Sequence, residues 1–140
     1  GWDNHNYSPT LGWHTDGKSP WWLTRWQFLF TLCGFDPRVR NVWATETGLD
    51  EGGVGGFPAH GVDDATLRDW LVYNEKEQSK PLVIDNKHPL ILAGKVPPSP
   101  FPGVWPSPFV GGTIFQYGRD NSWAGYDVRK YKETLKAWWA

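Results

Sequence analysis

Asn41-Val42-Trp43-Ala44-Thr45-Glu46-Thr47-Gly48 is a short apolar run that stops at one carboxylate, with an acidic, glycine-rich stretch directly after it. Val39–Thr45 reads as a strand. A strand that delivers a single Glu at its C-terminal edge, followed at once by turn residues, is how a parallel α/β scaffold presents a catalytic acid or nucleophile. The rest of the chain is read for what it builds around Glu46.

Three more segments read as strands: Gly1–Tyr7 upstream, and Leu82–Asp85 and Thr113–Tyr117 downstream, the last opened by Gly111-Gly112. Helical patterns lie between and after them. Pro20 sits at a helix start with Ser19 as its cap. Trp22, Leu23, Trp26, Leu29, Phe30 and Cys33 then follow helical spacing until Gly34 closes the run. Asp63 or Asp64 caps a second helix through about Glu77, with Leu67, Trp70 and Leu71 inward. Val128–Trp139 forms a third, with a basic outer face and Tyr131, Leu135 and Trp138 inward. Gly48–Gly61 and the proline-rich Lys95–Pro108 read as loops. Strand–helix alternation of this kind predicts an α/β fold, a parallel or mixed sheet with helices, in one domain spanning 1–140.

Composition narrows the function classes. The formal net charge of -1 gives no electrostatic case for nucleic acid or an anionic membrane. The longest apolar stretch, Phe28–Cys33, is far too short to span a bilayer. No signal or transit segment is visible, and the lack of Met is read as a processed or trimmed start at Gly1. A single cysteine excludes an internal disulfide; Cys33 is expected in the core, and the compartment, secreted or not, stays open. Eleven Trp stand beside 16 Gly and 12 Pro. A chain this small can hardly bury every indole with its N–H satisfied, so several are expected to line a groove. Flat aromatic faces beside polar groups suit sugar rings, and they suit a protein partner almost as well.

The strand ends place Asp3, His5 and Tyr7, then Glu46, Asp85, Gln116, Tyr117 and Arg119 at one edge, where ligands bind in parallel sheets. Glycosidic hydrolysis needs two carboxyl groups flanking the scissile bond. Glu46 is the leading candidate for one; Asp3, Asp50, Glu51 and Asp85 compete for the other.

Asp3-Asn4-His5-Asn6-Tyr7-Ser8-Pro9, a helix, and then Trp43-Ala44-Thr45-Glu46-Thr47-Gly48 resemble the closing part of retaining glycoside hydrolases with a (β/α) barrel. In those enzymes a late strand carries His-x-Tyr and the next ends in Thr-Glu-x-Gly, whose Glu is the nucleophile. Gly112-Thr113-Ile114-Phe115-Gln116-Tyr117-Gly118, then Gly125-Tyr126-Asp127 and a lysine-rich helix, are similar to their last strand and helix. The resemblance implies that Glu46 is the nucleophile and that His5 and Tyr7 position it or the sugar. It implies a carbohydrate-binding surface made from Trp43, Gln116 and Tyr117, with Trp105 or Trp123 as a stacking platform. A weaker similarity links Gly1-Trp2-Asp3 and Ala44-Thr45-Glu46, with Pro81-Leu82-Val83 and Ile114-Phe115-Gln116-Tyr117, to the lysozyme-like muramidases; it promotes Asp3 to a catalytic role. No cofactor is implied. A complete barrel takes about 250 residues, so either resemblance implies a piece of a longer barrel or a second protein chain that completes the fold.

Two readings from other classes compete. In one, the tryptophans form a partner interface and the chain is a binding or assembly subunit without chemistry of its own. In the other, His14-Thr15-Asp16 and His60 resemble the His-x-Asp…His triad of iron and 2-oxoglutarate oxygenases, with Arg119 for a cosubstrate carboxylate. Asp50-Glu51-Gly52-Gly53-Val54-Gly55-Gly56 lacks the Gly-Lys-Ser/Thr of a phosphate cradle, and its acids repel phosphate. No zinc spacing and no Gly-x-Ser-x-Gly occur.

Overall fold

The computed structural model describes residues 2–38, 41–52, 54–114 and 127–138. It is a mixed α/β structure. Strands β1 (Trp2–Ser8), β2 (Val42–Glu51) and β6 (Phe109–Ile114) lie side by side and parallel, with β2 in the middle. A two-residue strand, β3 (Val54–Gly55), turns back antiparallel on the end of β2, helped by Gly52 at φ +64°. Between β1 and β2 come helices α1 (Ser19–Leu23) and α2 (Gln27–Thr31); α3 (Asp64–Gln78) follows β3. A second sheet pairs β4 (Leu82–Ile84) antiparallel with β5 (Gly103–Trp105), with the one-turn helix α4 (Pro89–Leu92) between them. A 3-10 turn, Val128–Tyr131, leads into α5 (Lys132–Trp138).

Helices α1, α3 and α5 share one face of the parallel sheet. Leu23 of α1, Leu67, Trp70 and Leu71 of α3, and Leu135 of α5 form one buried cluster with Leu49 of β2 and Tyr131. A second cluster joins Trp26, Phe30 and Val42 to Leu82 and Ile84 of the small sheet. Gln78, fully buried, fixes the α1–α2 segment to the end of α3: it accepts from Trp26 Nε1 at 2.6 Å and donates to the Leu23 carbonyl at 2.7 Å. Trp70 Nε1 donates to Ser8 Oγ at 2.7 Å and ties α3 to β1. The Trp26 and Trp70 indole N–H groups thereby have their partners, the condition for placing them in a core.

The α3 helix starts as its sequence requires, with Asp63 accepting from Thr66 N at 2.7 Å. Other expectations are corrected. The helix expected over Trp21–Cys33 is two short helices. Thr24 Oγ1 bonds back to the Pro20 carbonyl, and three successive i→i+3 bonds carry the chain through Thr24–Trp26. Gly34, at φ +67°, lets Phe35 N reach the Leu29 carbonyl and ends α2. Cys33 therefore lies past the last helical turn and is exposed, not in the core. The strand expected to stop at Thr45 runs on to Glu51, because pairing with β1 continues through Leu49 and the hairpin with β3 adds Asp50 and Glu51. Lys95–Pro108 is not all loop: Pro102 and Pro106 flank β5, and a two-stranded edge ribbon tolerates prolines that a central strand excludes. Leu82–Ile84 pairs with β5 and not with the parallel sheet, so Asp85 leaves the edge that carries Glu46. Among the described residues no helix is long and apolar enough to cross a membrane.

Candidate functional site

The site begins with a fault in the strand register. Asn4 pairs with Ala44, but the next pair is His5 with Glu46, so Thr45 and Glu46 together oppose one residue of β1. Against β6 the count is the same: Ala44 pairs with Gly112 and Thr47 with Ile114. Thr45 is thus an extra residue relative to both neighbours, a β-bulge. In an unbroken strand Trp43 and Glu46, three apart, face opposite sides. The bulge resets the alternation. Val42, Ala44, Thr47 and Leu49 all turn to the helix-covered face and are buried. Trp43 and Glu46 turn to the other face, where Trp43 is 50% exposed and the Glu46 side chain 30% exposed. On β1, Asn6 and Ser8 are buried while the side chain of His5 is 49% exposed.

Three groups sequence reading had singled out meet on that open face. Tyr7 OH donates to Glu46 Oε2 at 2.7 Å, and His5 Nδ1 lies 3.2 Å from the same oxygen. Oε1 has no hydrogen bond among the described residues, so the carboxylate is anchored through one oxygen and presents the other. The Arg25 guanidinium donates to the His5 carbonyl, fixing β1 at that point. Trp43 stands next to Gly111 in register, and its ring lies where a side chain at 111 would project: a Cβ there would sit 3.3 Å from Trp43 Cζ3. Gly112 allows the close approach of β6. A Cβ at that position would meet the Ala44 carbonyl oxygen at 3.0 Å and Ala44 Cβ at 3.1 Å. The two glycines thus set the seat of the indole and the spacing of the strands.

Other expected site residues lie elsewhere. Asp3 pairs with Trp43 on β1, but its side chain lies outside the described residues, as do Gln116, Tyr117, Arg119 and Trp123. Trp105 belongs to the second sheet, packs on the Leu82–Ile84 cluster and donates from Nε1 to the Phe101 carbonyl. It is a core prop there, not a free platform beside Glu46. Asp85 accepts from Lys87 N and closes a turn, and Glu51 accepts from Leu11 N. Asp50 is on β2 four residues beyond Glu46, about 13 Å by the strand rise.

The metal alternative meets a different geometry. Among the described residues no three His, Cys, Asp or Glu side chains are grouped to hold a metal ion. Asp16 instead receives Lys18 N, Ser19 N, Ser19 Oγ and Thr10 Oγ1 and closes the turn that leads into α1, whose N-cap position is Lys18 and not the expected Ser19. Burial works against its charge, but these hydrogen bonds prevail and hold its carboxyl below the ordinary aspartate value. His14 packs edge-on against Trp13.

Sequence reading missed Trp22 and Arg25. It placed Trp22 only in a run of helical spacing; Trp22 is 36% exposed and lines a cleft with Tyr7, Pro9, Arg25 and Asp50. Their spacing, three apart, puts them on one helical face, the one signal available. Comparison of the chain with protein-family models, with curated proteins and with solved structures finds no match to any of them.

Proposed function

We propose that this chain is a glycan-directed hydrolase module in which Glu46 is the nucleophile. The observation that carries the reading is the Glu46 carboxylate itself: Tyr7 OH donates to one oxygen, with His5 Nδ1 3.2 Å from it, while the other has no hydrogen bond among the described residues and the side chain stays part-exposed. A nucleophilic carboxylate needs this division, with one oxygen fixed for orientation and one free to attack the anomeric carbon. Trp43 stands on the same face about two strand steps away, roughly 7 Å, and offers an apolar surface for the C–H side of a sugar ring.

The fold supports the same reading at a finer level. β1, β2 and β6 lie side by side and parallel, with β3, α3 and the small β4–β5 sheet intervening in the chain between β2 and β6, and α1 and α3 lie on one face. Parallel neighbours with helices on one face are compatible with a (β/α) barrel, where function gathers at the C-terminal ends of the strands. The resemblance of Thr45-Glu46-Thr47-Gly48 and His5-Asn6-Tyr7 to retaining glycoside hydrolases points the same way. In this reading the acid that protonates the leaving group sits on a further part of the barrel, about 5 to 5.5 Å from Glu46.

Aryl glycosides with good leaving groups separate the nucleophile from the acid, because such a leaving group departs with little protonation. A panel of these substrates should release phenolate with the wild-type chain, and Glu46→Gln should lower the rate by roughly three orders of magnitude or more. Turnover that is equal in Glu46→Gln would overturn the reading. The assembly-subunit reading is favoured by the half-exposed Trp43. It predicts that Trp43→Ala abolishes binding of a partner chain while Glu46→Gln changes nothing.

A further inference from the structure

Beside Glu46 lies a cleft of about 240 Å³ lined by Tyr7, Pro9, Trp22, Arg25 and Asp50. At roughly 30 Å³ per water it has room for about eight waters. Its chemistry is unusual in that it holds two opposite charges that do not pair: among the described residues Arg25 and Asp50 form no ion pair. The Asp50 carboxylate has no hydrogen-bond donor among those residues. Arg25 is held in place from two sides, with its guanidinium carbon 5.4 Å from the Trp22 ring centroid and a hydrogen bond to the His5 carbonyl. Only part of its five-donor set is used by that bond. The cleft therefore presents a preorganised donor, an exposed carboxylate with no protein donor among the described residues, and the flanks of Trp22 and Pro9.

We infer that this cleft is a second sugar subsite, next to the one at Glu46. The inference rests on the glycan reading above. A small apolar ligand would leave Asp50 and Arg25 desolvated without partners, which is costly. An anionic ligand would be repelled by Asp50, and a cationic one by Arg25. A neutral polyol satisfies both, since each hydroxyl donates to a carboxylate or accepts from a guanidinium. Tyr7 connects the two places: it lines the cleft, and its hydroxyl donates to Glu46. The substrate is accordingly an uncharged saccharide of at least two residues, one over Glu46 and Trp43 and one in the cleft.

Calorimetric titration tests this with glucose, galactose, mannose and N-acetylglucosamine and with their disaccharides, on wild type, Asp50→Ala and Trp22→Ala. The wild-type chain should bind one disaccharide more tightly than its monosaccharide. Asp50→Ala should remove about tenfold of that gain, the worth of one hydrogen bond to a charged group, and leave monosaccharide affinity unchanged. Trp22→Ala should act in the same direction. A gain with length that persists in both variants would overturn the subsite and leave the glycan reading intact. Failure of every saccharide to bind the wild-type chain would overturn both.

Discussion

Replacing Trp70 by Phe tests how the strand carrying His5 and Tyr7 is held. Trp70 is fully buried in α3, and its Nε1 donates to Ser8 Oγ, the residue after Tyr7. The substitution opens a void of about 35 Å³, which at about 24 cal/mol per Å³ costs ~0.8 kcal/mol. It also strips the fully buried Ser8 hydroxyl of its donor, for another ~1 to 2 kcal/mol. The sum, ~2 to 3 kcal/mol, should lower Tm by about 6 to 12 °C in a chain of this size. A double-mutant cycle isolates the bond: Ser8→Ala should cost ~1 kcal/mol less in the Trp70→Phe background than in wild type. Thermal denaturation of the four proteins gives the answer. If the two costs simply add, the Trp70–Ser8 bond does not anchor β1 and the reasoning fails.

Other outcomes follow from the same structure. Gly112→Ala should destabilise by ~1 to 2 kcal/mol, because its Cβ would press on the Ala44 backbone; an unchanged or higher Tm would show that β6 is free to shift. Asp16→Ala removes the acceptor for two backbone N–H groups at the start of α1 and should cost ~1 kcal/mol. Since its folded pKa is lowered, the stability it contributes is present above the unfolded value of 3.8 and lost as pH falls through the lower folded value. Wild type should lose more stability than Asp16→Ala in that window, read from urea midpoints. At the alkaline end, burial pushes the Tyr73 hydroxyl up to about 12 and raises Tyr131 as well, with nearby acids adding to both. A group raised in the folded state contributes stability below pH ~10 that is lost as pH rises toward the folded value. In an absorbance titration these two tyrosines should ionise above pH ~10, together with unfolding; ionisation of all five at pH ~10 in the folded chain would contradict the burial.

The parts legible in the sequence were those fixed by local chemistry. Asp63 followed by Leu67, Trp70 and Leu71 marks α3 because a side-chain cap and a helical apolar face are both written within a few residues. Strands over Gly1–Tyr7 and Val39–Thr45 are legible from their apolar and aromatic runs, although the second continues to Glu51, and the strand ends put His5, Tyr7 and Glu46 at one edge. What could not be read depends on partners far along the chain. Leu82–Ile84 looks the same whether it joins β2 or a ribbon hidden among prolines. The Thr45 bulge exists only in the comparison of three strands, yet it decides which face Glu46 occupies. One helix drawn from Trp21 to Cys33 gives no sign that Trp22 is exposed, because at Thr24 a side-chain bond to the Pro20 carbonyl and i→i+3 pairing break the regular spacing. The open cleft between Trp22, Arg25 and Asp50 follows from that break.

Trapping the glycosyl-enzyme tests the central claim most directly. The chain is incubated with 2-deoxy-2-fluoro glycosyl fluorides, whose ring fluorine slows breakdown of a covalent intermediate and whose leaving group needs little acid assistance. Intact mass and peptide mapping then locate the sugar. The account predicts one sugar per chain, on the peptide containing Glu46, absent in Glu46→Gln. An adduct on another carboxylate such as Asp50, or no adduct across the sugar series, would contradict it.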